Sequence, residues 1–284
     1  MVVWGDAALI ESDKDYSHAP LVRTVVTPES GHGSITAATL TASGLGIFEG
    51  YVDGASIGPD VLSPGWSSYQ WRIREYAYDV TSQVPDRPFV LGFSLGKGWA
   101  GGRLGGQQHG AFWTTKPSLI ARLEITYTDG HRQVVVTDAD WQSGPSQTTS
   151  NDLYDGQSVD ARVDIAGWNT DTAPRDGWTG VTVLDFDKSR LVSYSGPRVV
   201  RHEDLAPQKI QQAFALLNAR LGIAGEGKGW ALEAFISNLT KARYIQAAFN
   251  APLQGSEADP LAIRTYDAFL GSPRTYGVTL RLRR

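Results

Sequence analysis

The sequence predicts an all-β fold, an antiparallel β-sandwich of jelly-roll type with a β-rich C-terminal appendage. Three observations carry that reading. Apolar residues recur with period two from residue 20 to 200, in short runs at roughly 8–12-residue spacing. Turn formers punctuate the runs, with 31 Gly and 14 Pro in 284 residues, and no amphipathic helix of any length interrupts them. Nine Trp, eleven Tyr and nine Phe stand against a single Met. That profile suits two packed sheets whose inner faces take some rings while the end loops display others.

Residues 34–43 form the first clear strand, partly alternating, rich in β-branched residues and closed by Gly44. A second covers 46–52, and Asp53-Gly54 after it is a favoured two-residue hairpin turn. Residues 72–80 make a third, their aromatic and apolar side chains partly out of step with strict alternation. The apolar run 88–95 makes a fourth. The clearest hairpin joins 118–127 to 133–137 through Thr128-Asp129-Gly130-His131. Residues 144–150 and 168–178 read as loops, and the pattern ends near Gly196-Pro197-Arg198. Leu205-Ala206-Pro207 supplies a boundary, giving a sandwich over 1–205 and a second segment over 206–284. In that segment, 216–225 and 230–240 read as two strands joined by a glycine-rich turn. Val278-Thr279-Leu280-Arg281-Leu282-Arg283 then alternates without a break, as half-exposed strands and outer-membrane barrel strands do.

Composition narrows the function. At 41% hydrophobic and 20% charged, the chain can bury a core. A net charge of -4 and a pI of about 5.7, with no long Arg/Lys run, argue against a nucleic-acid partner and a polybasic membrane surface. The absence of cysteine removes disulfides, thiol nucleophiles and thiolate metal sites. His18, His32, His109, His131 and His202 are scattered, with no pair at a helical ligand spacing, so the spacing argues against zinc. The start, Met1-Val2-Val3-Trp4-Gly5-Asp6, has neither a basic region nor an apolar core, so no signal peptide is expected. No stretch approaches the length of a membrane helix. No nucleophile elbow, P-loop or dinucleotide fingerprint is present. Glu124 and Glu233 lie inside strand patterns, where alternation alone turns an acid outward.

Several strings, in order over about 200 residues, resemble the N-terminal sandwich module of bacterial α-L-rhamnosidases. They are Ser43-Gly44-Leu45-Gly46 with Asp53-Gly54, then Gly58-Pro59-Asp60-Val61-Leu62-Ser63-Pro64-Gly65-Trp66, then Tyr78-Asp79-Val80-Thr81. Gly96-Lys97-Gly98-Trp99 with Gly102-Arg103-Leu104-Gly105 follows, then Asp152-Leu153-Tyr154-Asp155-Gly156-Gln157 with Asp160-Ala161-Arg162, and finally Gly196-Pro197-Arg198. Lys97 departs from an acidic residue of the family, Gln157 from Glu and Val159 from Tyr. From residue 217 the strings differ. Phe249-Asn250-Ala251-Pro252-Leu253-Gln254 and Phe269-Leu270-Gly271-Ser272-Pro273-Arg274-Thr275-Tyr276-Gly277-Val278-Thr279-Leu280 resemble the closing strands of a TonB-dependent outer-membrane receptor.

The resemblance implies a non-catalytic carbohydrate-binding or scaffold module, working beside a separate catalytic helical barrel that supplies the acid and base of glycoside hydrolysis. It implies a saccharide containing L-rhamnose as ligand, with calcium in some members, and a periplasmic or extracellular setting. No other cofactor is implied. Trp99, in the glycine-rich loop 96–106, is the expected ring for stacking on a sugar face, while Trp66, Trp71 and Trp141 are assigned to packing. Arg103 is placed to read hydroxyls bidentately or to pair with an acid. Asp152 and Asp155 are the polar partners, and Asp79 is the calcium candidate; the plainer role for such aspartates is capping a turn. For the sandwich no membrane contact is expected, whereas the receptor-like tail leaves that open.

Overall fold

The alternating runs of the sequence become strands in the computed structural model, which describes residues 3–104, 109–201, 216–225, 229–250 and 266–282. The expected boundary at Leu205-Ala206-Pro207 lies outside the described residues. By contact, the chain divides into two units, Met1–Glu203 and Asp204–Arg284.

In the first unit the strands are β1 (Leu9–Ser12), β2 (Leu21–Val26), β3 (Ile35–Ser43), β4 (Ile47–Val52), β5 (Ala55–Ser56), β6 (Ile73–Asp79) and β7 (Phe89–Gly96). After a single helical turn, α1 (Gly98–Gly101), come β8 (Ser118–Tyr127), β9 (Arg132–Val136), β10 (Gln142–Gly144), β11 (Thr148–Asp152), β12 (Gly156–Val159), β13 (Val181–Leu184) and β14 (Leu191–Ser193). One sheet runs β13-β1-β8-β3-β6-β14; the other runs β10-β2-β7-β4-β5. Two strands share one edge of β8, with β1 at Ile10↔Leu119 and β9 from Thr126↔Arg132 to Arg122↔Val136. The predicted turn at Asp53-Gly54 has both residues at positive φ (48° and 85°), as a hairpin of this kind requires.

The fold is the all-β antiparallel sandwich that the sequence predicts, with one exception. β14 runs parallel to β6, Leu191 opposite Ile73. Adjacent in sequence, β13 and β14 sit on opposite edges of the same sheet, so a crossover rather than a hairpin sets the direction of β14. Residues 144–150, read as loop, partly enter the β11–β12 hairpin, where Asn151 opposes Gln157. These polar residues carry no hydrophobic alternation, and the hairpin forms through its ladder and the left-handed Gly156 (φ 78°).

Packing follows the pleat. Along β8, Leu119, Ala121, Leu123, Ile125 and Tyr127 enter the core between the sheets, against Phe48, Leu91, Phe93 and Trp141. Ile120 faces the other way and joins a second cluster with Leu45, Tyr69, Ile73 and Ala100. Arg23, only 1% exposed on β2, fixes the loop at 168–173. Its Nη1 donates to the carbonyls of Trp168 (3.1 Å) and Asp171 (2.7 Å) and its Nη2 to that of Ala173 (2.6 Å), which offsets much of the cost of burying the cation.

The second unit holds a three-stranded sheet, β15 (Ala219–Ala224), β16 (Trp230–Ser237) and β19 (Thr275–Leu282) in that order, and a separate hairpin, β17 (Ile245–Asn250) with β18 (Tyr266–Leu270). On one face Trp230, Leu232, Ala234 and Ile236 lie opposite Leu282, Leu280, Val278 and Tyr276. Tyr276, Val278, Leu280 and Leu282 of that face are exposed. Glu233, on the opposite face, is ion-paired with Arg220 at 3.3 Å.

Because Leu123 is fully buried at the centre of the inter-sheet core, Leu123→Ala is expected to lower the unfolding free energy by about 2–5 kcal/mol. Denaturant unfolding of the full chain followed by tryptophan fluorescence measures it. An unchanged midpoint would show that the two sheets do not share this core.

Candidate ligand-binding site

The glycine-rich loop after β7 gathers most of the residues singled out by sequence. Gly98 sits at φ 52°, and a Cβ there would fall 2.6 Å from Ile47 Cγ2 and 2.9 Å from the carbonyl carbon of Gly46. Only glycine lets α1 lie this close to the start of β4. The β11–β12 hairpin then holds the loop at both ends. Asn151 Oδ1 accepts the Lys97 amide at 2.8 Å, while its Nδ2 donates to the carbonyls of Ser17 (3.2 Å) and His18 (3.1 Å). Asp152 Oδ2 accepts the Arg103 amide at 2.8 Å, and Oδ1 accepts the Tyr154 amide at 2.9 Å.

Between these supports lies an open cleft of about 390 Å³, walled by His18, Lys97, Arg103, Asp152, Asp155 and the Gly110–Ala111 backbone. Arg103 clasps Asp155 through two bonds, Nε to Oδ2 at 3.1 Å and Nη2 to Oδ1 at 2.7 Å, with its guanidinium 5.3 Å from the Tyr154 ring centroid. Partial burial works against ionisation of Asp152. The two amide donors, with the charges of Lys97 and Arg103, outweigh it and hold the carboxyl below its ordinary value. The pairing with Asp155 raises the Arg103 pKa further. Two cations and two carboxylates thus converge on one concavity, a set able to exchange hydrogen bonds with vicinal hydroxyls. Sequence had read Lys97 only as a departure from pattern and had given Asn151 no role.

The structure brings Arg103, Asp152 and Asp155 together and sets Trp99 on another side of α1. Trp99 is half-buried against the second core cluster, edge-on to Trp66 at 6.4 Å between centroids. Trp66 is in turn edge-on to Trp113 at 6.2 Å, and Trp113 packs on Tyr69 at 5.0 Å. Trp141 is buried, as assigned. Trp66 and Trp71 were also assigned to packing, yet they are 46% and 76% exposed; Phe112, 5.7 Å from Trp113 between centroids, is exposed as well. The Pro-Gly-Trp string places Trp66 in a loop, which was the available signal for its exposure. Asp79 does not line the cleft; it takes the Thr81 amide at 3.0 Å and the Thr81 hydroxyl at 2.6 Å, closing the turn after β6. Glu124 pairs with Arg122 and Arg132 across the sheet face. Far from the cleft, at the other end of β8, His32 and His131 stack at 3.7 Å, a pair that sequence spacing did not reveal.

Residues 33–203 match a family model, the alpha-L-rhamnosidase N-terminal domain. An alpha-L-rhamnosidase of Streptomyces avermitilis is 33% identical over 159 residues, covering 55% of this chain and 15% of that protein. One from an Alteromonas species is 31% identical over 192 residues, covering 64% of this chain and 20% of its own length. The chain therefore spans a fifth or less of these curated relatives. Among solved structures, native rhamnosidase from Aspergillus terreus superposes with a TM-score of 0.67 at 26% identity, covering 98% of this chain and 34% of the other. The Streptomyces avermitilis enzyme complexed with L-rhamnose gives 0.64 at 22% identity, covering 96% and 27%, and so shares the fold.

If Asn151 and Asp152 hold the loop as described, Asn151→Ala speeds hydrogen exchange at the Lys97 amide, and Asp152→Ala speeds it at the Arg103 and Tyr154 amides. The Asp152 carboxyl is depressed in the folded state. Its contribution is therefore complete above the ordinary carboxylate pKa and disappears as pH falls through the lower folded value. Amide exchange followed by NMR tests this, and unchanged protection in both variants would remove the hairpin as the loop's support.

Proposed function

The chain belongs, through residues 33–203, to the α-L-rhamnosidase N-terminal domain family, and from that premise we propose that it acts as a non-catalytic module binding rhamnose-type glycans at the cleft beside α1. The convergence of Lys97, Arg103, Asp152 and Asp155 on one concavity carries the reading. Arg103 and Lys97 donate to ring hydroxyls and the two carboxylates accept from them. Trp99, edge-on to Trp66 at 6.4 Å, packs against the second core cluster and does not line this cleft. Hydrolysis belongs to a catalytic partner domain of the kind that presents an acid and a base across a glycosidic bond. A calcium ion at this cleft would take the Asp152 and Asp155 carboxylates as ligands, Asp79 being committed to the Thr81 turn. The name of the Streptomyces avermitilis complex, which holds L-rhamnose, is in keeping with this ligand class.

Isothermal titration of the full chain with L-rhamnose, with and without calcium, tests the proposal. Saturable heat with a dissociation constant of about 1 mM, near -4 kcal/mol, is expected, reduced at least tenfold in Arg103→Ala and in Asp155→Ala. Silence at millimolar sugar under both conditions would leave a scaffold that only buttresses its catalytic partner.

A second reading concerns residues 206–284, whose strings resemble receptor strands. The family match ends at residue 203, so this reading rests on those strings and on the apolar face of β15, β16 and β19. An exposed apolar face backed by a polar one is the pattern of a strand between lipid and lumen. The full chain is then expected to need detergent to stay dispersed. A monomer in sedimentation without detergent would overturn the reading.

A further inference from the structure

At the end of β8 remote from the cleft, roughly 30 Å along the strand, the β8–β9 turn meets the loop between β2 and β3. The contact is close: a Cβ on Gly33 would fall 2.1 Å from the Thr128 hydroxyl oxygen, and Thr128 donates its amide to the Ser34 carbonyl at 3.0 Å. Tyr127 adds to the join, since its hydroxyl accepts the Glu29 amide at 2.8 Å and donates to Gln133 Oε1 at 2.7 Å. Backbone and tyrosine therefore fix the two segments, and the side chains between them are left for another purpose.

Those side chains are Glu29, His32, Asp129 and His131. The His32 and His131 rings lie 3.7 Å apart at 13°. Asp129 Oδ2 contacts His32 Nδ1 at 2.8 Å, and its other oxygen accepts the His131 amide at 2.8 Å. The Glu29 carboxylate contacts His131 Nε2. One ligand atom from each of Glu29, His32 and His131 lies within 4.8 Å of the others, the only such group of three among the described residues. Both imidazoles are about one-third exposed (30% and 35%), so solvent reaches them and the rings have room to tilt apart around an ion.

We propose that Glu29, His32 and His131 form a site for a transition-metal dication of the zinc or nickel class. Two imidazole nitrogens and one carboxylate oxygen suit borderline metals and not calcium, which takes oxygen ligands. Three protein ligands leave a further coordination position to water. Asp129 is the positioning residue: by holding Nδ1 of His32, it directs Nε2 to the metal, the usual arrangement of a carboxylate behind a metal-bound histidine. This site lies apart from the saccharide cleft and does not depend on it.

The test is titration of the tag-free full chain with zinc chloride and, separately, with calcium chloride, followed by calorimetry and thermal unfolding. The expected result is one zinc site that raises the unfolding midpoint and that excess calcium does not displace. His131→Ala should lose the site, and Asp129→Asn, which preserves the turn, should weaken it about 10–100-fold with unchanged circular dichroism. Zinc binding by the double variant His32→Ala/His131→Ala equal to that of the parent would overturn the proposal, because the ion would then sit on other histidines. Absence of saturable zinc binding by the parent chain would overturn it as well, and would leave the four side chains as a polar clip.

Discussion

The alternation of side chains along β8 is the constraint on which the rest of the first unit depends. A strand can serve two clusters only if each residue keeps its face, and a one-residue slip would send Leu119, Leu123 and Ile125 out of the inter-sheet core. Pairing on both sides prevents the slip. β3 follows β8 from Ser43↔Ile120 to Ile35↔Tyr127, while β1 and β9 divide its other edge. With register fixed, Ile120 turns outward beneath the cluster that includes Ala100 and receives Trp99 and Trp113. The same strand therefore sets the floor under α1 and carries, at its far end, the turn that brings His131 to His32.

Much of this fold was legible because its signals are local. The hairpin at Thr128–His131 and the turn at Asp53-Gly54 are specified by residues that tolerate positive φ between alternating runs. The strand at 118–127 matches its predicted limits because apolar residues occupy nearly every position of one face. Short strands were less legible. β1, β10, β13 and β14 are three or four residues long and are held by partners far away in sequence, so nothing local marks them. β11 is polar throughout and gains its place from what Asn151 and Asp152 bind.

The site was legible in part for the same reason. Asp152, Asp155 and Arg103 sit in strings whose order carried the family resemblance, and they meet in one cleft. Trp99 was chosen because its loop is glycine-rich, but Gly98 of that loop serves the close approach of α1 to Gly46, and the ring packs beside Trp66. Exposure of Trp66 and Trp71 is a property of tertiary packing, which a count of aromatic residues does not contain. The meeting of His32 and His131 is a matter of topology alone, since the two are brought together by strands that end side by side.

The placement of the outermost strands has a consequence for biosynthesis. β1 needs β13, with Leu9 opposite Leu184, and β6 acquires its outer neighbour only when β14 is available. During translation the larger sheet thus remains open on one side until residue 184, and on the other until residue 193, has cleared the ribosome. Sheets dominated by such distant pairings form slowly, and their unpaired edges are prone to wrong partners. The polypeptide that emerges next is the segment with the uncovered apolar face, so the nascent chain presents bare edges and exposed apolar strands in close succession. Chaperone engagement at that stage is the natural place for quality control of this molecule.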